Sequence, residues 1–133
     1  MAAVVIGYVS TPEGYAALRH ARREAALRAA KLVVVNSERG GRDGNAERAV
    51  QTERELEEVR HELEAEGLDH DVRHLARGND PAEDLLAVAD EVGAELVVIG
   101  LRRRTPVGKL IMGSNAQRIL LDAHCAVLAV KAD

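Results

Sequence analysis

Short apolar runs and longer amphipathic segments alternate along this chain. Four runs are rich in valine, isoleucine, leucine and alanine and show no polar alternation, which predicts strands buried on both faces. They lie at 2–8, 31–36, 95–100 and 125–130. A fifth run, at 69–75, alternates enough to predict a less buried strand near a sheet edge.

The segments between these runs have helical spacing, and capping residues mark where three of them begin. Thr11 or Ser10 can cap the first. They lie at 12–30, 45–66, 81–92 and 114–123. Asp80 with Glu83 predicts a capping box at the third helix, and Ser114 with Gln117 predicts another at the fourth. In the second helix, the apolar residues that recur at helical spacing are Val50, Leu56, Val59 and Leu63.

Five strands separated by four helices predict an α/β fold with a doubly wound, five-stranded parallel sheet and helices on both faces. We expect the strand order 3-2-1-4-5 and one domain over residues 1–133. In such sheets, ligands bind beyond the carboxyl ends of the strands, where the strand order reverses. The predicted crevice therefore lies between the first and fourth strands.

The segment that leaves the fourth strand suits a phosphate. Gly100 ends an apolar run, a basic loop follows, and Gly113 with Ser114 opens a helix. The first amides of a helix have no intrahelical partner and lie at the positive end of its dipole. A glycine also lets the backbone approach a ligand closely, because it has no Cβ.

Composition and charge narrow the classes of partner. The formal net charge is −4, and the chain has no Phe or Trp and two Tyr, which argues against a nucleic-acid partner that needs basic charge or aromatic stacking. The local exception is a set of basic residues around the predicted crevice: Arg102, Arg103, Arg104, Lys109 and Arg118.

The lack of targeting signals and the single cysteine predict where in the cell the protein is found. No apolar run is long enough to span a membrane, and residues 1–5 do not resemble a signal peptide. The single cysteine, Cys125, cannot form an internal disulfide, which suits a reducing compartment. We expect a cytoplasmic protein with no membrane partner.

Motifs of catalysis are missing from the sequence. The histidines lack metal-ligand spacing with Cys125, and Gly-x-Ser-x-Gly does not occur. A phosphate-binding P-loop ending at Lys109 would need glycine where Arg103 stands. We therefore expect no metal site, no catalytic residues and at most an incidental hydrolysis of ATP.

Taken together, the motifs resemble the universal stress protein family over essentially the whole chain. They are Val97-Val98-Ile99-Gly100, Met112-Gly113-Ser114, the Gly78-Asn79-Asp80-Pro81-Ala82 turn and the tail from Ala123 to Val130. The resemblance implies an adenine nucleotide alpha hydrolase-like fold. It also implies an adenine nucleotide such as ATP, alone or with Mg²⁺, or another phosphate-bearing ligand.

The nucleotide-binding members of the family share two patterns, and this chain departs from each at one position. The patterns are Gly-x-Asp-x-Ser at the end of the first strand and Gly-x2-Gly-x9-Gly-Ser/Thr from the end of the fourth. Gly100, Gly113 and Ser114 are in register, but Arg103 replaces the second glycine. Val9 replaces the acidic residue and cannot accept a hydrogen bond from a ribose or an adenine. Arg103 either fills the pocket, holds a phosphate through its guanidinium, or is a solvated loop charge.

The candidate nucleotide-binding residues follow the first, second and fourth strands or begin the fourth helix. They are Gly7, Val9, Ser37, Ile99, Gly100, Arg102, Arg103, Gly113, Ser114 and Asn115. The alternative is a dimeric interaction module that retains the fold without binding a nucleotide. In either case the resemblance implies a homodimer that pairs through the apolar final strand, from Cys125 to Val130, which would otherwise expose a sheet edge.

Overall fold

A computed structural model of the chain describes residues 2–38, 46–76, 78–102 and 112–132. The strands are β1 (Ala3–Gly7), β2 (Lys31–Ser37), β3 (His70–Leu75), β4 (Leu96–Leu101) and β5 (Ala126–Lys131). The helices are α1 (Pro12–Arg28), α2 (Ala46–Glu66), α3 (Pro81–Val92) and α4 (Ser114–Asp122). All four strand pairings are parallel, in the order β3-β2-β1-β4-β5. The predicted fold class and strand order are confirmed.

Two hydrophobic cores lie on opposite faces of the sheet. Successive side chains of a strand point to opposite faces, so Val4 and Ile6 pack with α1 and α2, while Val5 packs with α3 and α4. Val5 is in register with Val33 and with Val97, which extends each layer across the central strands. The central strands are therefore apolar over most of their length, because both of their faces are covered.

The two edge strands differ in chemistry. β3 carries Asp71 and Arg73, whose side chains form an ion pair of 2.8 Å. β5 instead presents Val127, Leu128 and Ala129, all half-buried within a single chain. The sheet thus has one charged edge and one apolar edge.

The buried face of α2 contains Leu56, Val59 and Leu63, as predicted, but not Val50. Val50 is 53% exposed, whereas Thr52 is 8% exposed and donates its hydroxyl to Glu38 Oε1 at 2.9 Å. Thr52 lies one helical turn before Leu56, while Val50 lies six residues before it and faces away. The apolar character of Val50 was thus misleading, and its position on the helix decides its exposure.

The first helix is shorter than predicted because Ala29 ends it. This residue adopts the left-handed conformation, φ 50° and ψ 41°, and its amide bonds to the carbonyls of Ala25 and Ala26. Such a cap normally uses glycine, since a Cβ is strained there. It turns the chain into β2, which begins at Lys31.

Candidate functional site

A cavity of about 160 Å³ opens at the carboxyl end of the sheet, on the face covered by α3 and α4. It lies where β1, β2 and β4 end and where α3 and α4 begin. The residues that line it are Gly7, Tyr8, Val9, Val35, Ser37, Pro81, Ala82, Leu85, Ile99, Gly100, Asn115, Ala116 and Ile119. The cavity thus occupies the crossover between β1 and β4.

The walls of this cavity are mainly apolar. Val35 and Ile99 come from the sheet, and Leu85 and Ile119 come from the two helices above it. Tyr8 also borders the cavity, but its ring belongs to the core beneath α1 and α2 and lies 6.2 Å from the ring of Tyr15. An apolar chamber with a few polar groups is the usual design of a small-molecule site.

Two glycines shape the sheet side of the cavity for different reasons. A Cβ on Gly7 would lie 3.1 Å from Leu85 Cδ2, so glycine leaves room on the cavity face. A Cβ on Gly100 would lie 2.4 Å from the carbonyl oxygen of Glu13, in the first turn of α1. Gly100 therefore permits the close packing of α1 on β4, a role that the sequence reasoning missed.

The turn that leaves β1 is held firmly against α1. The amide of Thr11 donates to the Val9 carbonyl at 2.9 Å, and the Thr11 hydroxyl caps α1 by accepting from the Gly14 amide at 3.1 Å. A Cβ on Gly14 would lie 1.8 Å from the same Val9 oxygen. Val9 consequently has a fixed place at the cavity rim, where it is 45% exposed.

A hydrogen-bonded polar group forms the α3 end of the cavity. Ser37 donates its hydroxyl to Asp84 Oδ2 at 2.7 Å, and Asn79 Nδ2 donates to the other oxygen, Oδ1, at 3.1 Å. Asp84 is 2% exposed. The nearby N-cap, Asp80, accepts from the Ala82 amide at 3.2 Å, as the sequence predicts.

The α4 end of the cavity has the opposite character. The N-cap of α4 is Gly113, which has no capping side chain, and the amide of Gln117 donates to its carbonyl at 3.0 Å. The predicted capping box of Ser114 with Gln117 is therefore wrong, because Ser114 is already helical and lies one position too late. The first turn of α4 contains no acidic residue.

The two helix starts are tied together by Arg118. Its Nη1 lies 3.4 Å from Asp80 Oδ2 and 3.1 Å from Glu83 Oε1, which joins α4 to α3 across the cavity. This basic residue is thus engaged by carboxylates. Glu83, predicted to close the α3 capping box, directs its carboxylate toward this arginine.

Six of the candidate residues line the cavity: Gly7, Val9, Ser37, Ile99, Gly100 and Asn115. Arg102, Gly113 and Ser114 are described by the structure but are not among the lining residues. Arg103, Arg104 and Lys109 lie outside the described residues, so the alternatives for Arg103 stay open. The binding roles assigned to the candidates stay predictions.

The sequence reasoning missed the contribution of α3 to the cavity walls. Pro81, Ala82 and Leu85 belong to this helix, and none was a candidate. The capping box at Asp80 was a usable signal, because it predicts that α3 begins at the carboxyl end of the sheet, beside the crossover. Val35 carried a similar signal, because it lies two residues before Ser37 and therefore on the same face of β2.

Neither a metal-binding cluster nor a membrane-spanning helix occurs in the part of the chain that the structure describes. Among residues 2–38, 46–76, 78–102 and 112–132, no group of three or more His, Cys, Asp or Glu side chains is arranged to hold a metal ion. Within the same ranges, no helix has both the length and the apolar character needed to cross a membrane.

Comparisons with known proteins place the chain in a family. The sequence model of the universal stress protein family matches residues 1–131. A universal stress protein of Mycolicibacterium smegmatis is 41% identical over 128 residues, which is 96% of each chain.

Solved structures agree with this match. A universal stress protein of Archaeoglobus fulgidus superposes with a TM-score of 0.83 at 35% identity, over 98% of each chain. The structure of a universal stress protein from the same organism in complex with dAMP gives a TM-score of 0.76 at 30% identity, again over 98% of each chain. The topology described above is the adenine nucleotide alpha hydrolase-like fold of these proteins. On the sequence match and the superposition together, this chain belongs to the universal stress protein family.

Proposed function

We propose that this protein binds an adenine nucleotide in the cavity between the ends of β1 and β4 and the starts of α3 and α4. A similar protein of Archaeoglobus fulgidus, 30% identical over 98% of this chain, has been solved in complex with dAMP. The cavity of this chain lies at the crossover where doubly wound sheets bind their ligands. Its apolar walls suit a flat base.

The observation that carries the proposal is the difference in side-chain charge between the two helix starts. Asp80, Glu83 and Asp84 place carboxylates in and beside the first turn of α3, whereas the first turn of α4 has none. The first-turn amides of α4 can therefore receive a phosphate without acidic repulsion. The nucleotide would then lie with its phosphate toward Asn115 and its base toward α3.

Release and titration experiments test this proposal directly. Freshly purified protein is heat-denatured and the released small molecules are identified by mass spectrometry, and apo protein is titrated with ATP and with AMP by calorimetry. We expect a released adenine nucleotide or a measurable heat of binding. The absence of both a released nucleotide and a heat signal at millimolar ATP would refute the proposal.

A variant with a blocked cavity tests whether the nucleotide binds in that cavity. Ala116→Leu enlarges a side chain of the cavity wall and should abolish binding, whereas Ala87→Leu makes the same change on the exposed side of α3. If Ala87→Leu binds normally and Ala116→Leu also does, the nucleotide binds elsewhere. AMP should bind more tightly than adenosine, and added salt should narrow that difference, because the anion sits at a helix start.

The second candidate function is a ligand-free interaction module. Val9 favours it, since this apolar residue at the cavity rim offers no acceptor to a ribose or an adenine. A missing hydrogen-bond partner weakens binding by about 1–3 kcal/mol, or roughly five- to 150-fold. If the parent chain binds no ATP and the double variant Val9→Asp, Arg103→Gly gains binding, the module is the better description.

We also propose that two copies pair through β5. The half-buried Val127, Leu128 and Ala129 lie on the outer strand of the sheet, where a second chain can cover them. Light scattering at micromolar protein should give twice the 14.3 kDa of one chain. Leu128→Asp should lower that mass to one chain, while Val50→Asp, on the exposed side of α2, should not; a monomeric parent refutes the pairing.

We also propose a cellular location and a role for this protein. Cys125 is the single cysteine of the chain, which accords with a reducing compartment, and we place the protein in the cytoplasm. We assign it to the response to stress as a binding protein, with no catalytic residue. Fractionation of cells with an antibody to this chain, before and after heat or oxidant treatment, tests both assignments.

A further inference from the structure

The α3 end of the cavity contains a hydroxyl whose proton is already committed. Ser37 lines the cavity and donates to Asp84 Oδ2 at 2.7 Å, across 47 residues of sequence. A serine hydroxyl has one proton and two lone pairs, so a serine that donates to a carboxylate can only accept from a ligand. Ser37 thus offers the cavity an acceptor.

The carboxylate that fixes this direction is itself held in place. Asp84 is 2% exposed, accepts from Asn79 Nδ2 at 3.1 Å, and lies in the first turn of α3, where the helix dipole favours negative charge. It cannot rotate away from Ser37 without also breaking the hydrogen bond from Asn79. The hydroxyl is therefore oriented before any ligand arrives.

The same arrangement decides which part of a ligand can lie here. A phosphate oxygen beside Ser37 would meet a hydroxyl oxygen that has no proton left to donate, so two acceptors would face each other. A neutral group that donates a hydrogen bond would be stabilised instead. The α4 end is left for the anion, which agrees with the difference in side-chain charge between the two helix starts.

We propose that Ser37, oriented by Asp84, is a specificity-determining residue that selects bases with an exocyclic amine over bases with a carbonyl at the same position. This inference rests on the proposed nucleotide function. A 6-aminopurine can donate to the Ser37 oxygen, whereas a 6-oxopurine would place two acceptors against each other. Sites built to hydrogen-bond one group reject its analogue because buried polar groups are left unpaired.

The test compares ATP with ITP, in which a carbonyl replaces the 6-amine and the neighbouring N1 carries a proton. Calorimetric titration of the parent protein should show ATP binding about ten- to a hundredfold more tightly than ITP. Ser37→Ala should bring the ratio close to one while keeping ATP binding measurable. Asp90→Asn, an exposed position of the same helix as Asp84, makes the control substitution and should leave the ratio at the parent value.

Asp84→Asn provides a sharper variant because Asn79 fixes its orientation. The oxygen of the introduced amide should keep the hydrogen bond from Asn79, which turns the amide nitrogen toward Ser37. Ser37 would then accept a hydrogen bond from that nitrogen and point its own proton into the cavity. The preference for ATP should shrink or reverse in favour of ITP.

The outcomes separate this inference from the function on which it rests. If the parent binds neither nucleotide, the proposed function fails and the inference falls with it. If the parent binds ATP and ITP equally, the function stands and the inference is overturned. A parent preference that survives in Ser37→Ala also overturns it, even if Asp84→Asn does not fold.

Discussion

Replacing Gly100 by alanine tests the tight packing of α1 on the end of β4. The added Cβ would lie 2.4 Å from the carbonyl oxygen of Glu13, 2.7 Å from its carbonyl carbon and 3.0 Å from its Cβ. The first two of these atoms are main chain, so no rotamer change relieves the contact. Either α1 or the end of β4 must move.

The expected loss of stability follows from two opposing effects. Overpacking a well-packed interior costs about 1–3 kcal/mol, and a contact with backbone belongs in the upper part of that range. Replacing glycine by alanine also restricts the unfolded chain, which returns about 0.4–1 kcal/mol. The net destabilisation should be about 2 kcal/mol, or about 7 °C in Tm at an unfolding entropy of roughly 2.1 cal/mol/K per residue.

The assay is urea and thermal unfolding followed by far-ultraviolet circular dichroism, at one protein concentration because pairing of chains would shift the midpoint. Gly7→Ala is the matched control, at the end of the neighbouring strand. Its Cβ would lie 3.1 Å from Leu85 Cδ2, the end of a flexible side chain that can yield. A Gly100→Ala protein as stable as the parent, or more stable than Gly7→Ala, would refute the packing argument.

Three further substitutions test local features. Thr11→Ala removes the hydroxyl that caps α1 and should lower the free energy of unfolding in urea by about 1 kcal/mol. Thr11→Ser keeps a capping hydroxyl and should retain most of the parent's stability, so equal losses in the two variants would contradict the capping role. Ala29→Gly relieves a left-handed cap at φ 50° and should raise Tm by a few degrees, so a lower Tm would count against strain there. The side chain of His74 is 12% exposed. Burial lowers the pKa of His74, but the hydrogen bonds with Glu53 and Glu38 and the negative charges of these two residues together raise it by more, so the net shift is upward. The contribution of His74 to the free energy of unfolding should be complete below the unfolded pKa of about 6.5 and lost as pH rises through the higher folded pKa. Urea midpoints of the parent should therefore fall over that pH window, and His74→Gln should reduce the fall. Identical pH profiles of the two proteins would contradict this.

The sheet was predictable because its signals are local. Uninterrupted apolar runs such as β1 and β4 have no wet face, and each is followed by a helix long enough for a parallel crossover. Asp80 placed the start of α3 correctly because a cap acts within one helical turn. The position of the cavity follows from these elements and from the strand order.

The features that escaped prediction depend on geometry across the fold. The pair of Ser37 with Asp84 joins residues 47 positions apart, and no pattern around either residue marks the other. Gly100 lines the cavity, and its predicted approach to a ligand stays a prediction, but no sequence pattern indicates that the backbone of Glu13 packs against it. These contacts arise only when the helices are laid on the sheet.

Local signals also failed where several positions were compatible with them. Ser114 and Gln117 have the spacing of a capping box, but the helix begins one residue earlier than that box requires. Val50 is apolar and lies in the correct helix, yet the buried position belongs to Thr52. In both cases the error is one of phase, which composition cannot correct.

The contrast between the charged edge β3 and the apolar edge β5 bears on how large an assembly this fold permits. In the proposed pairing, symmetric contact between two β5 strands would cover the apolar edge of both subunits and leave the charged β3 edges facing outward. Growth would then end at two chains, and the open-ended filaments that a sheet with two apolar edges can form would not arise.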